Sequence, residues 1–231
     1  MTASVKRRSA VHAALGEPVR LAIADALFLG DVSPGELAQR FSLATNLLAH
    51  HLRVLQDAGV IRRVPSDADR RRSYVQLCLD DAVVRASAGE GDVTLPVGSG
   101  GAARVVFVCT ANSARSQLAA ASWNRISDLP ATSAGTHPAA RVHPRAVGVG
   151  RRHGLRLGRA TTSSVAGLLQ ADDLVVAVCD NAHEELAHDV PRLHWAIPDP
   201  VRTDTDAAFE GAYDDIARRV KQLVDAVAHR P

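Results

Sequence analysis

An apolar run that stops at a cysteine, followed at once by a short polar loop and a helix-forming segment, is the feature that most constrains this chain. The stretch reads VVFVCTANSARSQLAA and begins at Val105. Its apolar start has the composition of a buried strand, which we place at 104–109, and a helical pattern starts at 114. A strand, a tight loop and a helix in this order form one unit of an α/β fold.

The same alternation continues to the end of the chain. We predict further strands at 131–136, 173–179 and 193–198, and helices at 114–127, 144–154, 164–170, 182–189 and 207–230. Alternating strands and helices predict a parallel, doubly wound sheet whose sites form at the carboxyl ends of the strands. Cys109 stands at such an end.

The residues before this part read as mainly helical. Helices are predicted within 17–30, 33–41 and 42–61, and the second opens on Ser33, Pro34 and Glu36 in the pattern of a capping box. Two short β-like runs around the turn PSDAD then predict a hairpin. A helix, a short helix, a longer helix and a basic hairpin are the layout of a winged helix-turn-helix.

A glycine-rich stretch, VRASAGEGDVTLPVGSGGAAR from Val84 onward, separates the two parts. Such a composition is typical of a flexible linker. We therefore predict a winged-helix domain at 1–83, a linker at 84–103 and an α/β domain at 104–231.

The excess of basic residues lies in the first part. Residues 1–80 carry 11 lysines and arginines against 8 acidic residues, whereas 81–231 carry 16 against 17. This difference favours nucleic acid as the partner of the first part. If the longer helix lies in a major groove, its candidate base contacts are Thr45, Asn46, Ala49 and His50. The hairpin arginines Arg70, Arg71 and Arg72 can then reach phosphates beside the groove.

The cysteines and the ends of the chain limit the class of protein. The three cysteines, Cys78, Cys109 and Cys179, are too few and too far apart for a disulfide framework, and they lack zinc-ligand spacing. The basic start of the chain has no apolar segment of a signal peptide after it, and no run is long enough to span a bilayer. We expect a cytoplasmic protein without a bound metal or cofactor and without a membrane partner.

The spacing from Cys109 to Arg115 and Ser116 predicts a site for a tetrahedral oxyanion. A short loop that ends at a helix N-terminus presents backbone N–H groups and a helix dipole to an anion. Arg115 adds a fork of donors, and the same positive field favours a thiolate at Cys109 that Ser116 can hydrogen-bond. Asp199, in the IPDP stretch, is the candidate proton donor to a leaving oxygen. The loop between Cys109 and Arg115 consists of Thr110, Ala111, Asn112, Ser113 and Ala114.

The first part resembles the ArsR-type winged-helix repressors. The resemblance rests on LGEPVRLAIADAL, SPGELAQRFSLATNLLAHHLRVLQDAGVI and the hairpin RRVPSDADRRRSYVQL. It implies a homodimer, formed through this domain, that binds operator DNA and releases it when an inducer binds, often a metal or metalloid held by cysteines. The short helix SPGELAQRF has no cysteine, so the best-known thiolate site of the family is missing, and we interpret Cys78 as a small hydrophobic strand residue.

The second part resembles the low-molecular-weight protein tyrosine phosphatases and, within that fold, the arsenate reductases. The segments VFVCTANSARSQLAAA, SAGTHPAARVHPRAV and WAIPDP carry the resemblance, which spans about residues 104–228. It implies that Cys109 is the nucleophile, Arg115 the oxyanion clamp and Asp199 the acid. It also implies that Asn112 supports the loop geometry and Ser116 the thiolate. Ala111 replaces the usual glycine, so we expect backbone strain if φ at that position is positive.

Arsenate is favoured over a phosphate ester. The loop CTANSARSQ is similar to the reductase form, and DPVRTD lacks the aromatic residues that typically follow Asp-Pro in tyrosine phosphatases. Resemblance to the thioredoxin-coupled reductases places a resolving thiol at Cys179, whereas Leu186 occupies the place of their next cysteine.

The source of electrons and the kind of activity stay open at this point. Cys179 either pairs with Cys109 for reduction by a thioredoxin- or glutaredoxin-type donor, or a small thiol such as mycothiol attacks the adduct and Cys179 is a buried strand-end residue. We expect a transcriptional regulator fused to an arsenate reductase-like enzyme. The alternatives are a low-molecular-weight phosphatase acting on phosphoprotein or small phosphate esters, and a non-enzymatic regulator that senses an oxyanion.

Overall fold

The computed structural model describes residues 2–89, 95–97, 101–157 and 160–228, and the chain divides into two compact units, Met1–Thr94 and Leu95–Pro231. The first unit contains α1 (Ala3–Leu15), α2 (Pro18–Ala26), α3 (Pro34–Arg40), α4 (Thr45–Asp57), β1 (Ile61–Pro65), β2 (Ser73–Leu77) and α5 (Ala82–Ser87). The second contains β3 (Arg104–Cys109), α6 (Arg115–Ile126), β4 (Ala131–Gly135), α7 (Pro144–Arg152), β5 (Asp173–Ala177), α8 (Asp180–Glu185), β6 (Arg192–His194), α9 (Pro200–Thr203) and α10 (Asp206–Ala228).

The first unit has the helix order and hairpin predicted from the sequence. The capping box of α3 is present, since Ser33 Oγ accepts from the Glu36 N–H (3.3 Å) and Glu36 Oε2 accepts from the Ser33 N–H (2.9 Å). The hairpin strands β1 and β2 pair antiparallel from Ile61 opposite Leu77 to Pro65 opposite Ser73. The predicted winged helix-turn-helix layout is therefore confirmed.

Two segments of the first unit differ from the prediction. Helix α1 was not predicted, yet it contributes Val11, Ala14 and Leu15 to the apolar core. The linker predicted at 84–103 begins too early, because α5 continues to Ser87 and Val84 is completely buried in the same core. Of that linker, residues 90–94 and 98–100 lie outside the described residues.

The second unit is built on a parallel sheet of four strands in the order β4-β3-β5-β6. Strand β3 lies in the interior of the sheet, with Cys109 opposite Gly135 of β4 and Val108 opposite Ala177 of β5. Its bounds are those predicted from the apolar run. The expected α/β class with a parallel sheet is confirmed, and the carboxyl end of β3 holds the oxyanion loop.

The predicted helix at 164–170 is wrong. Ser164 instead forms a parallel bridge with Gly135, and the Val165 N–H donates to the Gly135 carbonyl (2.9 Å), so the segment extends the edge of the sheet before a turn. Helix α8 begins two residues before the predicted start at 182, and the short helix α9 was not predicted.

The aromatic side chains of the second unit are all buried. Phe107 lies between Trp123 and Trp195, with ring centroids 6.1 and 5.7 Å away. Phe209 and Tyr213 of α10 complete the set, and none of the five is more than 5% exposed. No helix among the described residues is long and apolar enough to cross a membrane.

Candidate active site

The candidate site lies where β3 meets α6. Cys109 is the last residue of β3 and is 2% exposed, and Arg115 is the first residue of α6. The strand and the helix hold the two ends of the loop, so the five residues between them have to curve around a common centre. The sequence-predicted cysteine and arginine are thereby brought to one place in the fold.

The carbonyl groups of the loop are held from outside by the segment that follows β4. The N–H groups of Thr136, His137, Ala139 and His143 donate to the carbonyls of Cys109, Thr110, Ala111 and Ser113 at 2.8–3.1 Å. In a trans peptide the N–H points opposite to the C=O, so the N–H groups that follow these carbonyls point to the inner side of the loop. Inward N–H groups at a helix N-terminus form a cradle for an anion.

The close approach of this segment requires a glycine. A Cβ atom at Gly135 would lie 2.6 Å from the Thr110 carbonyl oxygen and 3.0 Å from the Asn112 N atom. Because backbone cannot move away as a flexible side chain does, any larger residue at Gly135 displaces the loop.

Asn112 takes the left-handed conformation in the loop, with φ of 47°, and the expected strain at Ala111 does not arise. Asparagine tolerates this region better than most residues with a Cβ. Its side chain is fully buried and makes four hydrogen bonds, so the loop conformation is fixed from within.

Ser116 is the direct partner of the cysteine. Its Oγ lies 3.0 Å from Cys109 Sγ and accepts from Asn112 Nδ2 at 2.9 Å. A hydroxyl donor at the sulfur stabilises a thiolate, which is the nucleophilic form of cysteine.

Arg115 and Asp199 meet on the other side of the loop. The guanidinium of Arg115 is buried, donates to the Ile197 carbonyl (2.9 Å) and lies 3.3 Å from Asp199 Oδ2. Asp199 also caps α9, since its Oδ1 accepts from the Val201 N–H at 3.2 Å. The carboxyl group is partly exposed and sits beside the guanidinium, a position from which it can exchange a proton with solvent and with a bound oxyanion.

Cys179 belongs to the same neighbourhood. It caps the N-terminus of α8, and its Sγ lies 3.5 Å from Thr110 Oγ1 and 3.5 Å from the Ala182 N atom. Burial raises the pKa of the Cys179 thiol, and the positive charge of Arg115 offsets this only in part. Cys179 is therefore a protonated thiol at neutral pH, and it contacts the loop directly through Thr110.

Each of the two units matches the model of a known protein family. A model of the low molecular weight phosphotyrosine protein phosphatase family matches residues 104–230. The chain belongs to this family. A helix-turn-helix domain model matches residues 15–64, so a helix-turn-helix domain is fused to the phosphatase-family domain.

Relatives of the phosphatase-family domain include two arsenate reductases. The arsenate reductase of Halalkalibacterium halodurans is 32% identical over 133 residues, which cover 52% of this chain and 94% of the relative. Arsenate reductase 2 of Staphylococcus saprophyticus is 30% identical over 130 residues, covering 52% and 95%. The crystal structure of the tyrosine phosphatase AmsI of Erwinia amylovora shares the fold, with a TM-score of 0.52 and 18% identity over 59% of this chain and 100% of that one.

In the helix-turn-helix domain, the predicted base contacts lie on one face of α4. Thr45, Asn46, Ala49 and His50 are all exposed, whereas the opposite face is buried in the core through Leu48, Leu52 and Leu55. The hairpin arginines Arg70, Arg71 and Arg72 are exposed as well.

The hairpin arginines are not equivalent. Arg71 forms a two-point ion pair with Asp69, with Nε and Nη2 at 3.0 Å from the two carboxylate oxygens. Part of its charge is therefore compensated within the hairpin, which the prediction from residue type alone does not include.

Cys78 follows β2 and is partly buried, and burial raises the pKa of its thiol. Among the residues that the structure describes, no group of three or more histidine, cysteine or acidic side chains is placed to hold a metal ion.

Several residues that support the site were not identified from the sequence. Gln117, Ser133 and Ser163 all contact the Asn112 side chain, although they come from α6, β4 and the segment after α7. Their spacing along the chain is irregular, so only the sequence SQ after the arginine points to one of them.

Proposed function

We propose that the phosphatase-family domain is a thiol-dependent arsenate reductase and that the winged-helix domain is a DNA-binding regulator on the same chain. The single observation that carries the catalytic part is the buried Cys109 sulfur, which contacts Ser116 at the start of a loop that Arg115 and Asp199 flank. The relatives named arsenate reductase support the choice of oxyanion.

The first step joins sulfur to arsenic. The Cys109 thiolate attacks As(V) of arsenate and an S–As bond forms, while the As–O bond to an arsenate hydroxyl breaks and that hydroxyl leaves as water after taking a proton from Asp199. Arg115 and the inward N–H groups of Thr110, Ala111, Asn112 and Ala114 neutralise the charge of the remaining oxygens. The same residues serve a phosphate ester equally well in this step, so the choice between substrates depends on what surrounds them.

The second step transfers two electrons. The Cys179 sulfur, once deprotonated, attacks the Cys109 sulfur, an S–S bond forms, and the S–As bond breaks with its electron pair on arsenic, which leaves as As(III) arsenite. Two thiols are oxidised and one arsenate is reduced, and an external dithiol of the thioredoxin or glutaredoxin type then reduces the disulfide. Thr110 directly follows Cys109, and its Oγ1 lies 3.5 Å from Cys179 Sγ. This proximity of the two cysteines supports Cys179 over a small thiol such as mycothiol for this step.

The absence of an aromatic wall argues against an aryl phosphate substrate. All five Phe, Tyr and Trp side chains of the second unit, Phe107, Trp123, Trp195, Phe209 and Tyr213, are buried, so none is available at the site to stack on a phenyl ring. A small inorganic oxyanion needs no such surface. The site therefore favours arsenate over phosphotyrosine.

The regulatory part rests on the exposed face of α4 and the basic hairpin. We propose that Thr45, Asn46, Ala49 and His50 read operator DNA, that Arg70, Arg71 and Arg72 contribute phosphate contacts, and that the winged-helix domain forms a homodimer in the cytoplasm. The proposed domain bounds are 1–83 and 104–231, the first extended by α5 to Ser87. The fusion would place arsenate detoxification and control of transcription on one molecule.

A comparison of two substrates tests the catalytic proposal. Turnover of arsenate is measured with thioredoxin, glutaredoxin and mycothiol donors, beside hydrolysis of p-nitrophenyl phosphate, for the parent and for Cys109→Ser. We expect arsenite formation that requires Cys109 and slow ester hydrolysis. Fast ester hydrolysis without arsenate turnover would establish the phosphatase instead.

A gel-shift titration tests the remaining alternative, a non-enzymatic sensor. DNA binding is measured with arsenate, phosphate or arsenite present. If Cys109→Ser still binds DNA and responds to oxyanion while the parent chain turns over neither substrate, the domain is a sensor and the catalytic proposal is wrong.

A further inference from the structure

Gln117, in the first turn of α6, connects the oxyanion loop to the distant segment at 161–163. Its side chain is 5% exposed, and its Nε2 donates to the Thr161 carbonyl (2.9 Å) and to Asn112 Oδ1 (3.1 Å). A carbonyl only accepts hydrogen bonds, so the Gln117 atom that faces it has to be the nitrogen. The backbone at Thr161 therefore sets the orientation of this amide.

The orientation of the Gln117 amide helps to fix the orientation of the Asn112 amide. The Ser163 N–H donates to Asn112 Oδ1 (2.8 Å) from one direction and Gln117 Nε2 from another. The Nδ2 of Asn112 then has to face the opposite side, where it donates to Ser116 Oγ (2.9 Å) and Ser133 Oγ (2.9 Å). Both donors and both acceptor positions of the Asn112 amide are thus in use.

The Ser116 hydroxyl is left with one direction for its proton. Its oxygen accepts from Asn112, so the single hydroxyl proton points away from that amide. The atom on the other side, at 3.0 Å, is Cys109 Sγ, and a thiolate accepts hydrogen bonds but donates none. The proton is therefore directed to the sulfur.

We infer that Gln117 is a positioning residue that acts through Asn112 to keep the Ser116 hydroxyl donating to the Cys109 sulfur. The inference rests on the proposed function only in taking Cys109 as a thiolate nucleophile. Gln117, Asn112 and Ser116 form the path in series, and the side-chain hydrogen bonds of Gln117 go to Asn112 and Thr161, not to the sulfur. Its effect on the nucleophile therefore disappears when Ser116 has no hydroxyl to direct.

The test follows alkylation of Cys109 by iodoacetamide in the full chain, by mass spectrometry of the Cys109 peptide, over a range of pH. Gln117→Met keeps the length of the side chain and removes both hydrogen bonds. We expect alkylation at neutral pH to slow about tenfold, the size expected when one hydrogen bond to a charged group is lost. The rate recovers toward the parental value at alkaline pH, where the thiolate forms without help.

A second variant replaces the hydrogen-bond donor of Gln117 with an acceptor instead of removing it. Gln117→Glu presents an acceptor to Asn112 Oδ1 and to the Thr161 carbonyl, so it opposes the Asn112 orientation that the Ser163 N–H still favours and weakens the direction given to the Ser116 proton. We expect this variant to slow alkylation more than Gln117→Met does. The reverse order contradicts the inference.

The matched control is Gln222→Met in α10. The amide atoms of Gln222 are buried without a hydrogen-bond partner among the described residues, so the same chemical change removes no hydrogen bond there. We expect parental alkylation of Cys109. Slowing equal to that of Gln117→Met means that loosened packing alone produces the effect, and overturns the inference.

The deciding measurement is a double-mutant cycle with Ser116→Ala. We expect Gln117→Met to have no further effect on alkylation in the Ser116→Ala background. A tenfold effect that persists there, or a Gln117→Met rate within about twofold of the parent, overturns the inference. Alkylation needs no arsenate, so a failure of arsenate turnover refutes the proposed function and leaves this result unaffected.

Discussion

Replacing Arg115 with lysine separates the geometry of the oxyanion clamp from its charge. The guanidinium reaches the Ile197 carbonyl through one nitrogen (2.9 Å) and Asp199 through another (3.3 Å). Lysine keeps the positive charge but has one nitrogen at the end of a flexible stem, so it cannot serve both partners and an oxyanion together. Because Arg115 is only 7% exposed, water has little room to replace the missing donors.

The expected loss corresponds to one missing donor in a preorganised oxyanion site. Such a donor contributes about 10²- to 10³-fold in rate, or about 2.7–4 kcal/mol. We expect kcat/KM for arsenate to fall in Arg115→Lys by about 10²- to 10³-fold, and the inhibition constant for phosphate to rise with it.

The assay is arsenite formation with excess dithiol donor, with phosphate as a competitive inhibitor. Arg145→Lys is the matched control, because Arg145 is partly exposed and pairs with Asp204 (2.9 Å) and Asp206 (2.5 Å) outside the loop. Exposed ion pairs contribute about 0–1 kcal/mol, so this variant stays within about fivefold of the parent. An Arg115→Lys enzyme that keeps its fold and loses less than tenfold would refute the argument from fork geometry.

The remaining predictions concern the proton donor, the second thiol and the DNA contacts. Asp199→Asn is expected to lower kcat by about 10²-fold or more while phosphate still binds, measured by steady-state kinetics across pH; unchanged kcat removes Asp199 as the acid. Cys179→Ser is expected to stop multiple turnover with thioredoxin. Because burial raises the pKa of the Cys179 thiol, arsenite release by the parent is expected to accelerate from neutral to alkaline pH. A flat pH profile contradicts the transfer of electrons through Cys179. Arg70→Ala is expected to reduce the salt slope of binding to a random-sequence duplex by about one unit. Arg71→Ala is expected to reduce it less, because Asp69 already pairs with Arg71; equal effects would show that this pairing does not persist on DNA.

The parts of the molecule that are continuous in sequence were predictable. The strand before Cys109 and the helix after it follow from local apolar patterning, and the cradle follows because a short loop between them has to turn its N–H groups inward. The buried face of α4 follows in the same way from the spacing of Leu48, Leu52 and Leu55.

The parts that depend on contacts between distant segments were not predictable. The pattern at 164–170 suits a helix, but the free edge of β4 at Gly135 offers backbone partners to Ser164 and Val165, and these outweigh local propensity. The contacts of Gln117 with Thr161 and of Asn112 with Ser163 bring together segments more than forty residues apart, and no periodicity connects them.

The two tryptophans, which flank Phe107, give the molecule a selective optical signal. Both belong to the second unit, and the first unit contains none. Tryptophan emission during denaturation therefore monitors the α/β unit alone, while far-ultraviolet circular dichroism monitors the helices of both. Where the two curves separate, the loss of stability caused by any variant can be assigned to the enzyme or to the regulator without cutting the chain.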